Sequence, residues 1–324
     1  MNRTDLFIIG KTPPPIGGVT VHIERLLYNL RRDNIPFESM SLKASTLRAF
    51  IPKYLASGII HLNISSVYLR ALLTLVSCLT KKKHINTYHG SLGNKSRIKN
   101  IFDKISIRLS TYPVVLNDEA EKFAFAYNAN TKRISAFIPP PYEEALSEEI
   151  KGKIRELRKG YKTLFCTNAF GVMYDHRKQE IYGISELVQI FSSLCDKALI
   201  ISDPSASYRN YFTKNKIKLT ANILMISEPH SFFEVIRLAD CYIRNTSTDG
   251  DSLSVKEALY LSKNVIATNC VQRPDGVRLS IAGSQSDLLS RINETENIES
   301  AKKNHILVNG YPELKKIYEE LLRG

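Results

Sequence analysis

The densest group of reactive side chains lies between Asn245 and Leu261, which reads N-T-S-T-D-G-D-S-L-S-V-K-E-A-L-Y-L. Asp249, Asp251 and Glu257 supply three carboxylates there, and Arg244 stands just before them. If a helix begins near Ser252, the backbone N–H groups of Leu253 and Ser254 are open donors at its start. Aligned peptide dipoles favour an anion such as a phosphate at that end. Glu257 follows about one turn later and could accept hydrogen bonds from a ligand, although Ser254-x-x-Glu257 also fits a capping box in which the carboxylate serves only the helix. Two other groups have chemical potential. Gly17-Gly18 precedes a helical pattern, with His22 one turn in, and would let a ligand approach the backbone closely or form a simple turn. That loop is neither G-x-G-x-x-G nor a Walker A loop, because Lys11 precedes the glycines and no G-K-[ST] closes it. His89 ends an apolar run, and it suits either a group whose charge changes near neutral pH or a partly buried structural histidine.

The elements around these residues alternate. Asp240–Arg244 and Asn264–Thr268 are short apolar runs with strand character on either side of the polar stretch, so the whole reads as a βαβ unit. Further runs lie at 6–9, 58–64, 84–88, 112–116 and 133–138, then at 163–167, 197–202, 222–227 and 277–281, with helical patterns between them. This rhythm predicts α/β architecture with two parallel, doubly wound sheets. Pro139-Pro140-Pro141 and a charged helical stretch from Glu143 to Lys159 separate the halves, which sets expected domains at 1–145 and 160–305. An amphipathic helix within 306–324 closes the chain, with Leu314, Ile317, Leu321 and Leu322 at helical spacing.

The 324 residues carry a net charge of +13. Residues 1–110 hold 17 Lys/Arg against 5 Asp/Glu, which accounts for +12 of it. A basic half points to an anionic partner, whether nucleic acid, lipid headgroups or a phosphorylated substrate. The five cysteines are widely spaced with no C-x-x-C pair, which reads as reduced and intracellular. No signal peptide is visible, and the longest apolar stretch, Val67–Leu79, is shorter than the ~20 residues a bilayer span needs. Lys81-Lys82-Lys83 and Lys95, Arg97, Lys99, Lys104 and Arg108, interleaved with Ile98, Ile101, Phe102 and Ile105, form a basic amphipathic segment or a solvated helix face.

Several segments together resemble the retaining, family 4-like glycosyltransferases of the GT-B fold. They are Gly17-Gly-Val-Thr-Val-His22, Thr87-Tyr-His-Gly90, Ile138-Pro-Pro140, and Asp249-x7-Glu257-Ala258 followed by Val265-Ile-Ala267. T-D-G-D-S followed by Arg273-Pro274 is similar to a set of polysaccharide-assembly members. Asp249 replaces that family's usual glutamate. Its diphosphate-binding lysine is missing near Tyr182-Gly183, which leaves Arg177, Lys178 and Arg244 as candidates for the role.

The resemblance implies two Rossmann-like doubly wound domains facing a central cleft, with the acceptor on the N-terminal domain and a nucleotide diphosphate sugar on the C-terminal one. It implies catalytic roles for His89 and Asp249. Donor contacts would come from Gly18, Arg177, Lys178, Arg244, Asp249, Ser252, Leu253, Ser254 and Glu257, the last on the ribose hydroxyls. Acceptor contacts would come from His22, His89 and Arg273. The expected activity is transfer of a hexose from a UDP- or GDP-sugar to a lipid-linked or glycan acceptor in surface polysaccharide assembly. No cofactor is expected beyond the nucleotide sugar as co-substrate. Asp249-Gly-Asp251 spells the D-x-D that holds a divalent cation in the other large glycosyltransferase fold, but two nucleotide-binding-like halves argue against that fold and against a metal. The expected place is the cytoplasm, peripheral on an anionic membrane surface. No RNA-binding signature is present, so no nucleic acid is expected. The rival readings are a GT-B-fold nucleotide-sugar epimerase and a non-catalytic basic binding module.

Overall fold

A computed structural model of the chain describes residues 5–42, 47–90, 92–93, 95–141, 145–297 and 309–323. It divides into two compact units, Met1–Pro141 with Val308–Gly324, and Tyr142–Leu307.

The first unit opens with β1 (Leu6–Ile9), α1 (Gly18–Arg32), β2 (Phe37–Met40), α2 (Leu47–Ala56) and β3 (Ile59–Leu62). It continues through α3 (Val67–Leu79), β4 (Lys83–Tyr88), α4 (Arg97–Leu109), β5 (Tyr112–Val115), α5 (Asp118–Phe125) and β6 (Lys132–Arg133). The strands form one parallel sheet in the order β2-β1-β3-β4-β5-β6. The strand order reverses direction at β1 and β3, and open α/β sheets bind ligands beyond the carboxyl ends of strands at such a switch.

The second unit runs α6 (Glu148–Gly160), β7 (Thr163–Asn168), α7 (Ile184–Phe191), β8 (Lys197–Ser202), α8 (Ser207–Lys214) and β9 (Ile223–Ile226). Then come α9 (Phe232–Leu238), β10 (Cys241–Arg244), α10 (Leu253–Tyr260), β11 (Asn264–Thr268), β12 (Arg278–Ser280) and α11 (Gln285–Asn293). The final helix, α12 (Tyr311–Arg323), returns to the first unit. The second sheet is also parallel, in the order β12-β11-β10-β7-β8-β9, so its switch lies between β7 and β10. Both central strand sets are buried on both faces, which explains why their sequences read as unbroken apolar runs.

Three expectations differ from these elements. Strand β2 reads F-E-S-M and is half-buried along its length, so it carries no apolar run to reveal it. The run at 133–138 contributes only Arg133 to a strand, the two-residue β6. Ile134 and Ile138 are apolar because they pack in the same core cluster as α1 and α12. Helix α6, expected as a linker, buries Ile150, Ile154 and Leu157 on the second sheet.

The terminal helix is no appendage. Tyr311, Leu314, Ile317, Tyr318 and Leu321 enter the core of the first unit with Leu6, Ile8 and Leu26, a burial worth roughly 10 kcal/mol before chain entropy is subtracted. Lys315 pairs with Asp33 at 2.8 Å, and the Tyr311 hydroxyl donates to the same carboxylate at 2.9 Å. The expected starts of these two helices, Glu143 and Ile306, lie outside the described residues.

Candidate functional site

In the second unit, Asn245–Ser252 leaves the carboxyl end of β10 beside the switch point and turns into α10. The turn is held at Asp249. Arg244 donates from Nε and Nη2 to its two oxygens at 2.9 and 2.8 Å, Arg273 Nη1 donates to Oδ2 at 2.8 Å, and the Gly250 N–H donates to Oδ1 at 3.0 Å. The side chains of Asp249 and Arg273 are only 7% and 2% exposed. Burial pushes the Asp249 carboxyl up, but the Arg244 and Arg273 guanidiniums overcome it and hold it down at about 2. Burial likewise works against the Arg244 charge, and Asp249 more than compensates, so Arg244 is held above its usual range. Two guanidiniums share one carboxylate, so the cluster keeps one net positive charge at the strand end.

Arg273 was expected to contact an acceptor. It is instead buried, and it ties the loop after β11 to the loop after β10, donating from Nε to the Thr268 carbonyl at 3.0 Å as well as to Asp249. Asp249 was expected to contact the donor and to serve in catalysis. Its oxygens already accept four hydrogen bonds, so its observed work is to fix the loop. Asp251 pairs with Lys256 at 2.5 Å. Each carboxylate of the D-x-D is therefore engaged by a cation of the protein. Among the described residues, no group of three His, Cys, Asp or Glu is placed to hold a metal ion.

Helix α10 begins at Leu253 with Ser252 as its N-cap, and Ser252 makes no side-chain cap hydrogen bond. Ser254 is inside the helix, so the Ser254-x-x-Glu257 capping box does not form. Glu257 is buried, as are Leu253 and Lys256, while Ser252 and Ser254 are half-buried. The neighbouring α7 is different. Glu180, which the sequence reading missed, accepts from the Ile184 and Ser185 N–H groups at 2.7 and 3.2 Å and from the Tyr208 hydroxyl at 2.7 Å, closing that helix start.

Arg177 and Lys178 are exposed at the tip of a short hairpin, with Lys178 at φ 60° and Asp175 accepting from the N–H groups of Arg177 and Gln179. The hairpin joins the site loop because the Ser247 N–H donates to the Ile181 carbonyl at 3.0 Å. Where the resemblance leads one to seek a lysine, the Tyr182 ring lies 5.2 Å from the Arg244 guanidinium carbon. Gly183 follows in left-handed backbone, φ 57°, against Asn245, whose side chain bonds Glu186 at 2.7 Å.

The first unit gathers a second group. His89, just past β4, has Nε2 at 2.9 Å from Asn63 Oδ1, and its ring meets His22 edge-on at 5.3 Å between centroids. His22 Nδ1 lies 2.7 Å from the Ala136 carbonyl. His61, which the sequence reading did not single out, contacts Tyr318 Oη at 2.7 Å and Thr87 Oγ1 at 2.8 Å. Burial, then the neighbouring histidines and Arg70, hold His89 well below the usual histidine range. Burial and His22 bring His61 to about 3. Both rings are therefore neutral near pH 7. Gly18 is exposed at the first position of α1, whose N-cap is Gly17, one turn before His22. A pocket of about 430 Å³ opens in the same unit, lined in part by Val67, Arg70, His89, Lys95, Ser96 and Lys99.

No protein-family model matches the chain, and no curated protein matches it. Solved structures do. A glycosyltransferase from Rickettsia africae superposes with a TM-score of 0.68 at 15% identity over 100% of both chains. Anabaena HepE, solved in complex with UDP-glucose, superposes with a TM-score of 0.67 at 11% identity over 98% of both. The fold is GT-B. A putative UDP-N-acetylglucosamine 2-epimerase from Listeria monocytogenes shares it, with a TM-score of 0.61 at 12% identity over 99% of this chain and 98% of the other. Two parallel six-stranded sheets in one chain account for these matches.

Proposed function

We propose that the protein is a retaining glycosyltransferase that binds a UDP- or GDP-hexose on its second unit and transfers the hexose to a lipid-linked or glycan acceptor held by its first. The observation that carries this is the loop after β10. It retains one net positive charge beside the α10 start, whose N-cap side chain leaves the helix amides to a ligand, and Glu257 is buried one turn in. A diphosphate fits the charge and the amides, and Glu257 suits the ribose hydroxyls. Arg244 is committed to Asp249, so Arg177 and Lys178 on the attached hairpin are the better candidates for direct phosphate contacts. The Anabaena neighbour's UDP-glucose supports the choice of ligand class.

In this reading the chain supplies no covalent nucleophile. Stabilisation of the departing diphosphate by the helix amides and the basic hairpin is the main catalytic contribution, and the diphosphate takes the acceptor's proton. His22 and the neutral His89 serve the acceptor side. Surface polysaccharide assembly on the cytoplasmic face of an anionic membrane is the setting that fits the basic first unit.

The test begins with thermal shifts for a panel of nucleoside diphosphates and nucleotide sugars. A ligand at 100 times its dissociation constant adds about 2.7 kcal/mol. Glu257→Gln is expected to stay folded and to lose turnover, and wild-type turnover in that variant would overturn the assignment. The epimerase reading rests on the Listeria neighbour. NMR of the products decides it, because an epimer formed without acceptor replaces the transferase reading, and the anomeric configuration of a transfer product tests retention.

A further inference from the structure

Helices α3 and α4 pack side by side, with Tyr68 against Phe102 at 5.0 Å between ring centroids. Away from the sheet, α3 exposes Tyr68, Leu72, Leu75 and Leu79, and α4 exposes Ile98, Ile101 and Ile105, each between 40% and 75% exposed. The spacings 4-3-4 and 3-4 put each set on one helix face, and the Tyr68–Phe102 contact makes the two stripes continuous across the seam. Seven large apolar side chains on adjoining helices are more than the scattered exposure of an ordinary soluble surface. The charge beside them has one sign. α3 has no acidic residue, the only carboxylate of α4 is the buried Asp103, and Arg97, Lys104 and Arg108 form a row along one flank of the α4 stripe.

The 430 Å³ pocket opens at the N-terminal ends of the same two helices, where Arg70 lies in the first turn of α3 and Ser96 and Lys99 at the start of α4. Arg70 and Lys95 both hold Asp103, the latter at 2.7 Å. With Lys99, the lining therefore carries two net positive charges. An apolar face bordered by cations complements the interface of an anionic bilayer, and a cationic pocket at the end of that face is placed to meet a headgroup.

We propose that this pocket binds the phosphate or diphosphate of a membrane lipid while the exposed stripes of α3 and α4 lie in the bilayer interface. The proposal deepens the acceptor side of the function above and rests on it only in treating that lipid as an acceptor, since the binding itself needs no nucleotide sugar.

The experiment is co-sedimentation of the full chain with three kinds of vesicle, made of phosphatidylcholine alone, phosphatidylcholine with phosphatidylglycerol, and phosphatidylcholine doped with a polyprenyl diphosphate to equal surface charge. The wild type is expected to bind both anionic vesicles and to prefer the diphosphate. Each cation near such a surface is worth a factor of about five, so reversing one costs about 25-fold. Arg108→Glu should weaken both anionic vesicles alike and keep the preference, whereas Lys99→Glu should abolish the preference. The exposed pair Leu72→Gln and Ile101→Gln, which should leave the fold intact, is expected to lose about tenfold or more on every vesicle.

Equal affinity for the two anionic vesicles, or identical effects of Lys99→Glu and Arg108→Glu, would overturn the pocket. Soluble pyrophosphate competing as well as the lipid would reassign it to free anions. A dimer that the double variant dissolves, with no vesicle binding, would give the face to a second copy of the chain. Vesicle binding without any nucleotide-sugar shift would sink the transferase reading and leave this one standing.

Discussion

Asp249→Asn replaces the carboxylate that joins Arg244 to Arg273 with a neutral amide of the same shape. An amide oxygen in the Oδ2 position can still accept from Arg244 Nε and Arg273 Nη1, but the amide nitrogen then turns donors towards Arg244 Nη2 and the Gly250 N–H, and the negative charge that both buried guanidiniums share is lost. Holding Asp249 at about 2 instead of 3.8 is worth about 2 kcal/mol by linkage. Removing one member of a buried ion pair costs about 3–5 kcal/mol. A loss of about 3 kcal/mol is expected, or roughly 6–12 °C in the transition of a unit this size. Calorimetry reads that transition, and hydrogen exchange of the β10 and β11 amides separates it from unfolding of the first unit. The sign with pH is fixed. A carboxylate depressed in the folded state contributes above its unfolded pKa, so the gap between wild type and variant is full at neutral pH and closes as pH falls from about 4 towards 2. A difference under about 0.5 kcal/mol at pH 7, or one that persists unchanged at pH 2, would refute the reasoning.

Two further outcomes follow from the same geometry. Gly183→Ala puts a Cβ 2.6 Å from the Asn245 carbonyl oxygen at φ 57°, so a loss of about 2–4 kcal/mol is expected in urea unfolding, with nucleotide affinity weakened because Asn245 opens the site loop. His61 and His89 are neutral in the folded first unit but ionise below about 6.5 once unfolded, so each should remove about 1.4 kcal/mol of stability per pH unit as pH falls from 6.5 towards the folded value. Acid titration of His61→Gln should show a correspondingly shallower slope, and an unchanged slope would show that this ring is protonated in the native state.

The site loop was legible because its signals are local. A polar turn between two apolar runs, with Ser252 where a helix must start, identifies a strand end, a helix N-terminus and a carboxylate one turn in without reference to anything distant. The roles of its charged residues were not. Arg273 reads like a free cation for a ligand, and only the structure shows it buried on a carboxylate 24 residues earlier. Lys256 is likewise taken up by Asp251. Glu180 escaped notice because it caps a helix four residues on from a hairpin that carries no strong pattern of its own. His61 sits inside an apolar strand, and its partner Tyr318 is 257 residues away.

The amphipathic pattern of the last helix showed that it must cover something apolar, and the charge count showed that the first 110 residues are basic. Which sheet the helix covers, and which cations remain unspent, depend on contacts between residues far apart in the chain. The sequence by itself determined the alternation of strands and helices, the loop that ends β10 and the excess charge of the first unit, since apolar period, turn chemistry and composition are local properties. Tertiary structure decided the strand order that sets the two switch points, the commitment of Arg244 and Arg273 to Asp249, and the alignment of two apolar stripes beside a cationic pocket. These depend on long-range pairing and on burial, which settles whether a charge is offered to a ligand or neutralised within the protein.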